Sequence, residues 1–373
     1  MNMWKRPAIS WVTFRIACVA GIAFLGFLPS SAQVPRPPHH PAENPPALQI
    51  EDSAESSSAL KHSPVSEAPT TEWKLHKTDD NLHPDGREQQ VIWLMNRARS
   101  NPHAEGAWLA NSTDPDIAGG RDYFGVNKTM LQSAFDSYSA KPPAAFDVRL
   151  YNAAKAHSDF MISIDEQTHD GQFDRIIAAG FTCGGGSGYS ARGSVFAYAD
   201  NSLNAHAAWN IDWGGDNGGM QEPPGHRYAI MSVDGDYTNA GVALVYDSNP
   251  NHEIGPYVTT GNYCHAGNVA NHFNQFIVGT VWNDLDWDGM YDPNEGIGGV
   301  TVMPDSGTYF AITSNSGGYA IPITMAPGSH SVTFSGSGIN DSKNVTIASV
   351  SVLLDYIFSP VFTDFVYLPV VRK

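Results

Sequence analysis

Along the chain the apolar positions change their spacing, first to a helical repeat and later to short strand-length runs. Val91, Ile92, Met95 and Ala98 fall on one face of a helix that Asp85 and Glu88 open as a capping box and Asn101-Pro102 closes. Pro142-Pro143 leads into a second helix capped by Asp147, with Leu150, Ala154, His157 and Met161 on one stripe. A histidine on such a stripe reads as an interior residue rather than a ligand. Residues 173–179 predict a third, short helix ended by Gly180, and Asp200 or Asn201 caps a fourth that runs to Asp212. Residues 108–140 are mixed in character and predict no single element. In residues 221–231 two prolines and Gly225 bend the backbone just before His226, and a short helix follows. Strands are then expected at residues 241–246, 257–263, 276–282 and 299–303, with another hairpin beginning at Gly317-Gly318-Tyr319.

The two ends do not share this patterning. Lys5, Arg6 and Arg15, an apolar run over residues 16–28 and Ser30-Ser31-Ala32 make residues 1–32 a signal peptide cut after Ala32. The run is short of the ~20 apolar residues of a bilayer span, an uncleaved anchor being the alternative. Residues 33–84, rich in Pro, Ser, Glu and His, cannot bury enough apolar surface to offset their ordering entropy and read as a disordered tether. Residues 359–373 form an apolar tail too short to cross a membrane, either a last strand or a signal for export or surface attachment.

The formal charge of −17 over 373 residues excludes nonspecific nucleic-acid binding and disfavours anionic membrane surfaces. No membrane span is expected once the signal is removed. Cleavage leaves Cys183 and Cys264, which predict one disulfide in an exported protein and two free thiols in a reducing compartment. The glycines of residues 184–188 lack the Lys-Ser/Thr of a phosphate loop, which argues against nucleotide binding.

A helix bearing Asn96-Arg97, a second of the form Leu-x3-Ala-x2-His, a polar bend with His169, Trp209 with Asp212 three residues on, then Gly225-His226-Arg227 and a Gly-Val strand stand in this order. The order resembles the cysteine-rich secretory, antigen 5 and pathogenesis-related 1 superfamily, the CAP or SCP domain, over residues 85–265. The resemblance implies an α-β-α sandwich with a large open cavity, where two histidines and two glutamates can hold a divalent ion, often zinc. His226 and His169 match the histidines, and Asp212 stands where one glutamate is usual. Gly193, in Arg192-Gly193-Ser194, stands where the other is usual. His169, His226 and Asp212 are thus the candidate cavity and zinc residues, three protein ligands with water as a fourth. His206 and Glu222 are further candidates to take the missing place.

Residues 284–295 carry a sharper pattern. With Asp284 as position 1, acids fall at Asp286, Asp288 and Asp292 (positions 3, 5 and 9), Gly289 at 6, Met290 at 7 and Glu295 at 12. This matches the twelve-residue EF-hand calcium loop, with the Met290 carbonyl as a ligand, an acidic surface turn being the alternative. Five carboxylates so close repel one another unless a hard cation sits among them. The flanks are strands, so the loop clamps a β-domain and is not a helix-loop-helix sensor. Val-Gly-x-Val-Trp before it, with Glu-Gly-Ile-x-Gly-Val-x-Val and Gly-Gly-Tyr-x-Ile after it, resemble the B-type repeat of Ser-Asp-rich bacterial surface adhesins over residues 274–358. That resemblance implies a small immunoglobulin-like sandwich used as a rigid, calcium-dependent spacer.

The expected fold class is therefore α+β, a CAP sandwich followed by a small all-β calcium-binding sandwich. The expected protein is bacterial and secreted or surface-bound, binding a lipid or small apolar ligand, or a cell-wall or extracellular protein partner, through its cavity. A metal-dependent hydrolase (peptidase or esterase) using His169 and His226, and a purely structural cell-surface protein, are the alternatives.

Overall fold

The computed structural model describes residues 47–48 and 64–358. The expected signal peptide, residues 33–46 and 49–63 of the expected tether, and the tail 359–373 lie outside the described residues. The described chain is α+β.

In the first half, helix α1 (Gly86–Ser100) opens as its sequence dictates. The Asp85 carboxylate accepts from the amides of Arg87 and Glu88, and Glu88 reaches back to the amide of Asp85. Three short helices follow in the stretch without a clear period: α2 (Pro102–Asn111), α3 (Pro115–Tyr123) and α4 (Lys128–Asp136). Each is started by a side-chain cap, Asn101, Asp114 or Asn127, and two of them by proline in the first turn. Helix α5 (Val148–Ile164) begins at its Asp147 cap, and α6 (Gln172–Ala178) follows it. The fourth expected helix is split, into α7 (Ser202–Ala207) and a π-turn over Ala208–Asp212. Helix α8 (Gly225–Ile230) carries His226.

A five-stranded sheet lies among these helices. Its order is β1 (Ala47–Leu48), β4 (Ala191–Ala199), β7 (Tyr257–Cys264), β6 (Asn239–Tyr246) and β3 (Ala145–Phe146), with β2 (Thr71–Glu72) and β5 (Trp213–Asn217) outside it. Strand β4 is an element the pattern of apolar positions did not announce. Residues 260 and 262 face α5, where Ser158 bonds Thr260 (2.8 Å) and Asn262 bonds the Leu150 carbonyl (3.1 Å). The opposite face carries Tyr263 beside Arg99 of α1, whose guanidinium donates to the carbonyls of Ile230 and Tyr237. Helices therefore cover both faces of the sheet. The Cys183–Cys264 disulfide is formed, with Cα atoms 5.5 Å apart, and ties the end of β7 to the loop after α6. Closing a loop of that length stabilises the fold by about 4 kcal/mol in the chain-entropy model.

The second half is two facing sheets, β13 (Ile339–Ile347), β12 (Gly328–Gly336), β9 (Thr301–Pro304), β10 (Tyr309–Ile312) and β2 in one, and β11 (Gly318–Pro322), β8 (Phe276–Trp282) and β14 (Val352–Leu353) in the other, with β15 (Tyr356–Ile357) also on β8. Ile277, Val281, Val302, Ile321 and Phe334 from both sheets share one apolar core.

The tether expectation is corrected at residues 64–84. Thr71–Glu72 pairs in parallel with β10, the Trp73 amide bonds the Phe310 carbonyl (2.8 Å), and the buried Trp73 ring meets Phe273 and Tyr309 edge-on. The reason is local composition: Trp73 and Leu75 supply apolar surface that the Pro/Ser-rich stretch before them lacks, and an open strand edge was available for pairing.

The halves are joined along α1. Trp93 packs edge-on against the buried Trp282 at 5.8 Å, an arrangement worth about 0.5–1.5 kcal/mol beyond its burial. Trp93 Nε1 also donates to Asp355 (3.1 Å), and Gln89 to Thr280 (2.8 Å). Gly86, the first residue of α1, leaves no room for a side chain: a Cβ there would lie 1.9 Å from the Pro293 carbonyl oxygen of the acidic loop.

Candidate functional site

The histidine pair is assembled by the π-turn. That turn delivers Asp212 with a left-handed backbone (φ +55°) and a fully buried carboxylate. One oxygen accepts from the amides of His226 (3.0 Å) and Arg227 (3.3 Å), which are free donors at the start of α8. The other accepts from His226 Nδ1 (2.8 Å). Arg227 closes the turn from behind, its guanidinium donating to the carbonyls of Asn210 and Ile211. His226 is so held with Nε2 buried and without a protein hydrogen-bond partner among the described residues. The His169 ring lies 6.1 Å from the His226 ring with the planes 23° apart, and its Nδ1 bonds Gln172 Oε1 (2.7 Å).

The structure thus brings His169, His226 and Asp212 together but gives Asp212 a different place from the one expected. It lies behind His226 and orients its ring, as outer partners of histidine ligands do, rather than beside it as a third ligand. Two imidazoles fall short of the three protein ligands of a catalytic zinc. Gly193 supplies no carboxylate. A Cβ on Gly193 would meet Gln172 Oε1 at 2.4 Å, so the buried Gln172 fills that space with a neutral amide tied to the Gly261 carbonyl and Asn262.

The substitute candidates lie elsewhere. Glu222 is exposed, near Asn217. His206 is buried with Nε2 on Glu105 (2.8 Å), whose other oxygen takes Arg97 (2.8 Å). Burial opposes ionisation of Glu105, but Arg97 and His206 overcome it and hold its carboxyl below the usual range. Burial likewise lowers His206, against the pull of Glu105, which fits a neutral ring donating to the carboxylate. His157 is an interior residue, bonded to the Thr168 carbonyl (2.8 Å) and pushed down to about 4 by burial.

The acidic loop is built from its own backbone. Asp284 accepts from the amides of Trp287 (2.8 Å) and Gly289 (3.0 Å), and Asp286 and Asp288 accept from the amides of Asp288 and Met290. Glu295, 4% exposed, closes the loop by accepting from the amides of Leu285 (2.6 Å) and Asp292 (2.8 Å). Gly289 turns the chain at φ +76°, as the sixth position of such a loop requires. Carboxylate oxygens of Asp284, Asp286 and Glu295 lie within 4.8 Å of one another, as do those of Asp286, Asp288 and Asp292. Among the described residues these are the groups of three or more acidic, histidine or cysteine side chains so placed. Burial, then Asp288, Glu295 and Asp286, raise the Asp292 carboxyl above its ordinary range. An all-oxygen donor set under mutual repulsion fits a hard cation such as calcium. Leu285 and Trp287 (59% and 81% exposed) project from the same loop.

The junction supplies groups that no sequence spacing announced. Gln90 of α1 donates to Asp292 Oδ1 (2.8 Å) and to the Tyr291 carbonyl (3.0 Å). A cavity of about 240 Å³ opens between the halves, lined by Lys141, Asp236, Tyr237, His265, Gln275 and Ser349. Comparison of the chain with protein-family models, with curated proteins and with solved structures returns no match.

Proposed function

We propose that the chain is an exported binding protein. In this reading a CAP-like half takes a lipid or small apolar ligand, or a cell-wall or extracellular partner, at its His169–His226 face. A calcium-clamped β half, like the B-type repeats of bacterial surface adhesins, carries it as a rigid spacer. The observation that carries binding over catalysis is the state of the carboxylates around the pair. Both oxygens of Asp212 are taken by His226 and the start of α8, and Gln172 fills the space beside Gly193. Neither a free carboxylate to act as base on a bound water nor a third metal ligand remains in the set. The five converging carboxylates of residues 284–295 support calcium, which would be held by Asp284, Asp286, Asp288, Asp292, Glu295 and the Met290 carbonyl and would neutralise their repulsion.

One observation favours the hydrolase reading. His226 has Nδ1 on a buried aspartate and an open Nε2, which is how a general base is oriented. It lacks a partner nucleophile in the candidate set, since Cys183 is in the disulfide.

Lipid mass spectrometry and elemental analysis of the purified mature chain separate these readings. The expected result is bound calcium and a released organic ligand, the latter lost in a His169→Ala/His226→Ala double variant. Hydrolysis of a peptide or ester panel that disappears with His226→Ala would replace binding by catalysis, and neither ligand nor turnover would leave a structural surface protein.

A further inference from the structure

We infer that Gln90, a residue of the histidine-bearing half, is a positioning residue of the acidic loop, so that cation binding and docking of the two halves form one linked equilibrium. The inference rests on the reading of the loop as a calcium site and adds its regulation. Gln90 is 5% exposed, and its amide orientation is fixed by its surroundings. Nε2 faces two acceptors, Asp292 Oδ1 and the Tyr291 carbonyl, while Oε1 faces a donor, the Ser202 hydroxyl (2.5 Å). Asp292 is the ninth position of the loop and belongs to the Asp286–Asp288–Asp292 group. An amide donor on one of its oxygens selects a single carboxylate rotamer beside the other two acids. The donor comes from outside the β half, more than two hundred residues away in the chain.

The same loop is pressed onto α1 at other points. The Pro293 carbonyl lies in the space a Cβ of Gly86 would occupy. Tyr291, fully buried, packs on Trp282 at 6.0 Å, and Trp282 in turn on Trp93. Ordering the loop around a cation therefore orders the surface that α1 docks on. By linkage, whatever calcium adds to docking, docking adds to calcium affinity. The far end of the amide reaches Ser202 at the start of α7, and the chain runs from there through the π-turn to Asp212, which holds His226. The cation site and the histidine pair thus share one short segment of backbone.

Removing an outer-sphere partner at metal sites costs about 10–100-fold in affinity, and a single neutral donor belongs at the low end, roughly tenfold. The test is calcium titration calorimetry on the full mature chain, native and Gln90→Leu, which keeps the side chain's bulk and removes its hydrogen bonds. Amide hydrogen exchange with and without calcium accompanies it. The expected result is roughly tenfold weaker binding in Gln90→Leu. In the native chain, calcium should slow exchange in helix Gly86–Ser100 and in Ser202–Ala207 as well as in residues 284–295. The second arm needs no variant and stands if Gln90→Leu fails to fold. Affinity unchanged within twofold in Gln90→Leu, or native protection confined to residues 284–295, overturns the linkage and leaves the calcium site standing. Absence of calcium binding to the native chain overturns the calcium reading itself, and the linkage with it.

Discussion

The histidine pair and the acidic loop handle buried and crowded charge in opposite ways. At the pair, one carboxylate is satisfied by protein alone: Asp212 meets an imidazole and two amides at the start of a helix. In the loop, amides position the carboxylates, yet Asp286, Asp288 and Asp292 still face one another without a countercharge among the described residues. The first arrangement satisfies its carboxylate within the protein. The second leaves carboxylates facing one another, which supports the proposed cation. The difference teaches that the number of acids near a site says less than where their lone pairs go.

The largest effect that would break this contrast is at Asp212. Asp212→Ala leaves the His226 ring and two helix-start amides buried without acceptors, each costing about 1–3 kcal/mol. We expect a loss of about 4 kcal/mol in chemical denaturation, a large share of a typical domain's stability. A loss under 1 kcal/mol would mean that the carboxylate does not organise the pair.

Acid should act on the two regions with opposite sign. His157, held at about 4 by burial in the folded chain, binds its proton more tightly when unfolded. Its stabilising contribution is full above pH 6.5 and lost as pH falls toward 4, by about 3 kcal/mol. His76, at the junction and also near 4 through burial, adds the same sign. Asp292 is raised in the folded chain, so without calcium its proton stabilises the loop, and the cost appears as pH rises above the ordinary carboxylate range. Hydrogen exchange in chelator between pH 4 and 7 should show the sheet around α5 loosening with acid while the loop tightens. Parallel trends in both regions would erase the distinction.

How much of this was legible in sequence follows from how local each feature is. The turn of the acidic loop was readable because its carboxylates are contiguous and its sixth position needs a glycine. Helices α1 and α5 were readable because a side-chain cap stands before each, followed in α5 by an apolar stripe, whereas α1 is buried on almost every face, polar residues included. The histidines could be paired only through a family resemblance, since their geometry depends on a π-turn that no apolar spacing encodes. Gln172 and Gln90 could not be found at all. A buried glutamine is defined by partners far along the chain, Asn262 for the first and Asp292 for the second. The packing of residues 64–84 is not legible in average composition, because Trp73 and Leu75 supply the apolar surface of an otherwise polar stretch.

Calcium itself sharpens the contrast at the next level of effect. A ligand at a hundredfold excess over its dissociation constant stabilises the folded state by about 2.7 kcal/mol, a shift of roughly 10–20 °C for a unit the size of residues 274–358. Differential scanning calorimetry with calcium against chelator should show that shift for residues 274–358. The His169→Ala/His226→Ala variant should keep it whole, because the pair supplies none of the loop's ligands. An unchanged transition in chelator would show that the loop's own amides suffice.

The smallest expected effect is at Gly86, where two terms compete. Alanine there gains about 0.5–1 kcal/mol of helix propensity. The new methyl, however, would sit 1.9 Å from the Pro293 carbonyl oxygen, a backbone atom that cannot rotate away. Overpacking of this kind costs typically 1–3 kcal/mol, so the net change is a loss of about 1 kcal/mol, placed at the contact between α1 and the loop. Gly86→Ala should therefore lower the thermal midpoint by a few degrees and speed amide exchange in both Gly86–Ser100 and residues 284–295. Exchange around α5 and the sheet should stay as it was. A variant as stable as the native chain would mean that the loop yields at Pro293 without disturbing its carboxylates, and the two regions would then be neighbours rather than a coupled pair.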